Sequence, residues 1–167
     1  MLSKKMTEHL NKQINLEFYS ANLYLQMSAW ASHKGLDGCA KFLLSHSNEE
    51  IGHMHRLFTY VNETGALAKV GAIDEPASNF TTISEVFENI YSHECEVTKA
   101  INQLVDTAHS EKDYATFNFL QWYVAEQHQE EHLFKSVLDK IRIIGDEGQG
   151  PYHFDQELNN MAGKTQQ

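Results

Sequence analysis

The sequence predicts an all-α protein: an antiparallel four-helix bundle with a long crossover between helices two and three and a short fifth helix at the C-terminus. Three observations lead there. Four long segments carry apolar residues three to four positions apart, the helical period. The only prolines, Pro76 and Pro151, both fall outside those segments, where connections are expected and a ring without an N–H does least damage. A polar pattern also repeats. Glu17 is followed by Glu50 after 33 residues and His53 after 36, while Glu94 is followed by Gln127 after 33 and Glu130 after 36. The two copies start 77 residues apart.

At 167 residues the chain has the length of one domain, 1–167, with the bundle over about 3–144, a C-terminal helix over about 151–161 and a tail over 162–167. The first helix is expected from Ser3, a good N-cap, to His33, with its inner stripe at Leu10, Ile14, Glu17, Ala21, Tyr24 and Ser28. Lys34 to Gly38 turns the chain, and Asp37 is placed to cap the next helix. That second helix, about Gly38–Thr64, carries Cys39, Leu43, His46, Glu50, His53, Leu57 and Val61, and Gly65 stops it. Residues Ala66 to Thr81 lack periodicity and are long for a simple loop. A helix of about 27 residues spans roughly 40 Å, and about sixteen extended residues reach roughly 55 Å, so this stretch can cross the length of the bundle.

The third helix is expected to start at Ser84 as N-cap, with Phe87, Ile90, Glu94, Val97, Ile101, Leu104 and Ala108 inward. Ser110 to Asp113 breaks it. The fourth presents Thr116, Leu120, Tyr123, Gln127, Glu130, Phe134, Val137 and Ile141. Gly145 to Pro151 forms a loop, and Phe154, Leu158 and Met161 mark the fifth helix. Phe18, Tyr19, Phe42 and Phe58 lie off the stripes as exposed aromatics, expected to pack inside the bundle's flanks or at subunit contacts.

The formal charge of −10 argues against nucleic acid and anionic membranes as partners and favours cations. Cys39 and Cys95 are too few for a disulfide framework, the N-terminus lacks the apolar core of a leader peptide, and no window approaches a membrane span. The expectation is a soluble, cytoplasmic protein.

Each apolar stripe is interrupted by polar residues near its middle. Glu17 lies 18 residues before a turn near 35 and Glu50 15 after it; Glu94 lies 18 before a turn near 112, with Gln127 and Glu130 15 and 18 after. Antiparallel pairing therefore brings all of them to one height. Unpaired buried carboxylates cost several kcal/mol and tend to protonate, so four at one level call for cations between them. Oxygen ligands with one imidazole suit iron, manganese or zinc. Two ions sharing a carboxylate suit iron and O₂, because each Fe(II) supplies one of the two electrons that take O₂ to peroxide. Tyr24, Trp122 and Tyr123 read individually as packing residues, the methionines show no haem-like arrangement, and His9, His33 and His109 are expected on the surface.

These residues resemble the ferritin family, specifically the non-haem ferritins of bacteria, in Asn15–Glu17, Glu49–Met54 and Phe117–His128. The resemblance implies the ferritin-like form of the bundle and a homo-oligomeric shell of about 24 subunits around a ferric mineral. It implies a di-iron centre in which Glu17, Glu50 and His53 ligate one iron, Glu50 bridges, Glu94 and Glu130 ligate the second, and Gln127 sits beside it; Tyr24 matches a tyrosine next to that centre. It also implies a third iron position at Glu49, Glu126, Gln129 and Glu130, where Gln129 replaces the family's glutamate with a poorer ligand. Haem-binding relatives carry a second Glu-x-x-His and a methionine after the bridging glutamate; here these are Gln127-x-x-Glu130 and Ile51, so no haem is expected. The expected activity is a ferroxidase, oxidising Fe(II) with O₂ or hydrogen peroxide and storing Fe(III). The alternatives are a storage shell without competent oxidation, or a di-metal oxygenase or peroxidase acting on another substrate.

Overall fold

The computed structural model describes the backbone of residues 1–164 and the side chains of residues 1–161. Five helices follow in order: α1 (Lys4–His33), α2 (Asp37–Glu63), α3 (Ile83–Ser110), α4 (Tyr114–Ile144) and α5 (Gly150–Lys164). Among the described residues there is no strand. Of the tail expected over 162–167, residues 165–167 lie outside the described residues, and the backbone before them continues α5 to Lys164.

The helix ends show which local signals act. Ser3 caps α1, its hydroxyl accepting from the Met6 N–H at 2.9 Å. Gly35 then takes φ +75, and the Leu36 N–H returns to the Ala31 carbonyl at 2.9 Å, closing off α1. The end of α3 is built in the same way: the Asp113 N–H returns to the Ala108 carbonyl at 2.9 Å. Here the left-handed position is taken by Lys112, φ 56, rather than glycine. Asp113 goes on to cap α4, accepting from the Thr116 N–H at 3.1 Å.

Two expected caps are corrected. Thr82, not Ser84, caps α3: its hydroxyl accepts from the Glu85 N–H at 3.1 Å, and Glu85 accepts back from the Thr81 N–H at 2.7 Å. Asp37 does not cap α2; it is the first residue of that helix, and the residue before it, Leu36, has no side-chain acceptor. The acceptor comes instead from α5, where Asp155 Oδ1 takes the Cys39 N–H at 2.8 Å. α5 sits so close that a Cβ on Gly38 would fall 2.1 Å from the Asp155 carbonyl oxygen. Phe42 is corrected as well. It is buried, because its ring packs between helices on Phe87 of α3 and Phe134 of α4, with centroids 6.2 and 6.3 Å apart, so the apolar arc of α2 is wider than one stripe. Phe58 is exposed, as expected.

The long connection between α2 and α3 is strapped to α1 by two asparagines one turn apart. Asn11 accepts from the Lys69 N–H at 2.8 Å and donates to the Leu67 carbonyl at 3.2 Å; Asn15 accepts from the Gly71 N–H at 2.7 Å and donates to the Lys69 carbonyl at 3.1 Å. At its far end the Trp30 indole donates to the Phe80 carbonyl at 2.9 Å. The connection therefore runs along the bundle, and α2 and α3 are parallel while α1–α2 and α3–α4 pack antiparallel.

Every residue of the four expected stripes is buried. The apolar core nevertheless falls into two clusters. One gathers Met27, Leu43, Phe87, Ile90, Phe134, Val137 and, from α5, Phe154 and Leu158. The other gathers Leu10, Ile14, Leu57, Val97, Ile101, Leu104 and Leu120. Along α1, α2, α3 and α4 the residues between the two are Glu17, Glu50 with His53, Glu94, and Gln127 with Glu130.

Candidate metal centre

A polar layer inside a helix bundle exists only because each helix contributes its polar residue at the inward register. Glu17, Glu50, His53, Glu94, Gln127 and Glu130 are each no more than 5 % exposed. Water cannot solvate them, so their charges must be met by protons, hydrogen bonds or cations.

Glu17, Glu50 and His53 bring one ligand atom each within 4.8 Å of one another, close enough to hold one metal ion. His53 Nδ1 lies 3.3 Å from Glu50 Oε2 and 4.0 Å from Glu17 Oε2. Glu17 Oε1 accepts from the Gln13 amide at 2.8 Å, but its Oε2 has no hydrogen-bond partner. The His53 ring is held edge-on by Trp122, centroids 5.3 Å apart, and its backbone carbonyl accepts from the Tyr123 hydroxyl at 2.7 Å. The Arg56 guanidinium covers the outer side of Trp122 at 4.4 Å. Trp122 and Tyr123, read from sequence as packing residues, thus also fix the imidazole.

Glu94 is organised differently. The Tyr24 hydroxyl donates to its Oε1, and the Gln127 amide donates to its Oε2 at 3.0 Å. Among the described residues it joins no group of three donors. Glu130 faces the other way: its Oε2 has no hydrogen-bond partner and lies 3.9 Å from His46 Nδ1. Glu49 and Glu126 are half-buried and group with His53, while Gln129 is exposed.

Burial is the main cause of every shift here. It raises Glu17 well above the usual carboxylate range, with the charge of Glu50 adding. It pushes Glu50 up to about 7, with Glu49 and Glu126 adding. It pushes Glu94 to about 7 against the Gln127 hydrogen bond. Glu130 is pushed to about 10, by burial and then by Glu94 and Glu50. Without a cation, these carboxyls retain protons that an exposed glutamate would release. This is a strong preference for positive charge at one level of the bundle.

Three participants were not assigned from the sequence. Gln13 orients Glu17; its position one turn earlier on the same face was the available signal. His46 is buried near Glu49 and Glu130; its place on the α2 stripe, one turn before Glu50, pointed there. His93 is buried against Ser20, Nε2 to Oγ 2.7 Å, with Tyr19 and Tyr24 at its ring edges, and only its position beside Glu94 hinted at this. Of the histidines expected on the surface, His33 and His109 are exposed and His9 is half-buried.

Known proteins resemble this chain over nearly its whole length. A family model described as a ferritin-like domain matches residues 7–144. A probable bacterial non-heme ferritin-like protein of Haemophilus influenzae is 53% identical over 165 residues, covering 99% of this chain and 100% of its own. A bacterial non-heme ferritin of Campylobacter jejuni is 49% identical, with 97% of each chain covered. Among solved structures, an open-pore ferritin from Archaeoglobus fulgidus superposes with a TM-score of 0.92 at 43% identity, covering 95% of this chain and 96% of that one. A Chlorobium tepidum ferritin gives 0.86 at 52% identity, covering 95% and 97%.

Proposed function

This chain belongs to the ferritin family, and on that premise we propose that it is an iron-storage protein that oxidises Fe(II) as it takes it in. The carrying observation is the buried group Glu17–Glu50–His53, with Glu94 and Glu130 buried at the same single level where the apolar core is interrupted. Two Fe(II) ions are the substrate. Glu17, Glu50 and His53 take one, Glu94 and Glu130 take the other, and Glu50 is shared. The two ions give one electron each to O₂, which with two protons becomes hydrogen peroxide; with hydrogen peroxide as oxidant, two protons and the same two electrons give two waters.

The protein's contribution is positioning and charge. Carboxylates stabilise Fe(III) more than Fe(II), which favours loss of the electron. Tyr24 and Gln127 hold Glu94 in place, and the Gln127 amide is an N–H donor beside the second position. Fe(III) then passes to the interior of a homo-oligomeric shell of about 24 subunits in the cytoplasm, where it is stored as mineral. Glu49, Glu126 and Glu130 offer a third iron position, to which the exposed Gln129 adds little. No helix among the described residues is long and apolar enough to cross a membrane.

Stopped-flow absorbance tests this reading. The parent should oxidise two Fe(II) per chain in a fast phase, and Glu17→Ala or His53→Ala should slow that phase at least tenfold. If both variants keep the parent's rate, oxidation occurs on the mineral surface and the protein is a shell without a catalytic centre.

A further inference from the structure

We propose that His46 makes a divalent-cation site with Glu49 and Glu130, so that the position left weak by Gln129 is completed by an imidazole from α2. This rests on the reading of the polar layer as a metal centre and specifies how ions sit beside it. His46 Nδ1 lies 3.5 Å from Glu49 Oε2 and 3.9 Å from Glu130 Oε2, and these three residues have donor atoms within 4.8 Å of one another. His46 is 8 % exposed, and its Nδ1 has no hydrogen-bond partner. Glu130 Oε2, facing it, has none either. Two buried polar atoms aimed at each other and both unsatisfied are rare in a folded protein unless something sits between them.

The ring is not free to turn away. Phe42 packs on it with centroids 4.5 Å apart and Phe134 at 5.2 Å, so Nδ1 is held toward the two carboxylates. The place is also reachable. It opens on a cleft of about 580 Å³ whose lining includes His46, Glu49, Glu126, Gln129 and Glu130. Gln129 is exposed there, and an amide oxygen is the weakest donor of the set. One nitrogen and two carboxylate oxygens suit Fe(II) or Zn(II). An all-carboxylate site would instead favour Fe(III). Glu130 is common to this site and the interior pair, and His53 is common to the groups with Glu17–Glu50 and Glu49–Glu126. An ion therefore meets overlapping donors all the way from the interior to the cleft.

Zinc titrated into the assembled protein is the test, read by calorimetry and by anomalous scattering from zinc-soaked crystals. The parent should show a zinc ion within about 2.0–2.2 Å of His46 Nδ1 and of one oxygen each from Glu49 and Glu130. His46→Ala and the better-packing His46→Gln should each lose that ion, lowering the stoichiometry by one per chain. Zinc at Glu17–Glu50–His53 should persist in both, and Gln129→Ala should keep the full count. The proposal is overturned if the ion survives in both His46 variants. It is equally overturned if the parent binds zinc at Glu17–Glu50–His53 and none at His46. Absence of zinc from Glu17–Glu50–His53 in the parent would sink the metal-centre reading itself, which separates that failure from this one.

Discussion

The Tyr24 hydroxyl donates to Glu94, while Gln127 donates to the other oxygen of the same carboxylate. One side chain of the metal centre is thus clamped by two neutral donors, in contrast to Glu17 and Glu130, each of which keeps an oxygen with no partner. Tyr24→Phe removes one donor and leaves the ring packing in place. We expect a loss of about 1–3 kcal/mol in unfolding free energy from the unsatisfied acceptor. Zinc binding at Glu17–Glu50–His53 should be unchanged. A urea midpoint equal to the parent's would reduce Tyr24 to a packing residue.

Crowding of carboxyls should make the empty centre a burden on stability. Glu17→Gln keeps the shape and the contact with Gln13 but removes one acidic group. At mildly alkaline pH the metal-free variant should be more stable than the parent by about 1 kcal/mol, while its fast Fe(II) oxidation phase falls at least tenfold. Paired denaturation and stopped-flow measurements check this; a variant less stable than the parent at every pH would contradict it.

The raised carboxyl pKa values fix a pH dependence. Glu50 and Glu94 keep protons to about 7 in the folded chain, whereas in the unfolded chain they release them near the ordinary glutamate value of about 4.3. Between those values the folded state binds more protons, so this contribution to stability falls as pH rises. A bound cation replaces the protons. The decline from about pH 4.5 to pH 7 should therefore be steep in metal-free protein and shallow with zinc, and zinc binding should release protons, measurable by calorimetry in buffers of different ionisation enthalpy.

Lys112 occupies the left-handed position at the end of α3 that Gly35 occupies at the end of α1. A side chain there is strained by about 1–2 kcal/mol. Lys112→Gly should raise the unfolding free energy by about 1 kcal/mol with no effect on iron oxidation. A decrease would mean that the lysine makes a compensating contact in the assembled protein.

What the sequence made legible was register. Each of Glu17, Glu50, His53, Glu94, Gln127 and Glu130 sits on an apolar stripe at the helical period, and all six are buried. What it hid depends on tertiary approach. Asp155 is 116 residues from the amide it accepts, so no local pattern links it to α2. Phe42 lies off the single stripe of α2, and its burial depends on Phe87 and Phe134, which reach it from α3 and α4. Thr82 and Ser84 are both plausible caps. The reciprocal bond from Thr81 to Glu85 selects the first, and that needs the backbone path of the crossover. The pairing of His46 with Glu130 joins α2 to α4, and only the packed bundle brings them together.

Gly38 has a consequence beyond its own turn. With no side chain there, α5 presses backbone to backbone against the start of α2, lends it Asp155, and seals one end of the bundle with Phe154 and Leu158. The C-terminal segment is therefore a plug rather than an appendage. A chain cut before Gly150 would expose Phe87 to water and leave the Cys39 amide without its acceptor, loosening the same helix that supplies His46, Glu49, Glu50 and His53.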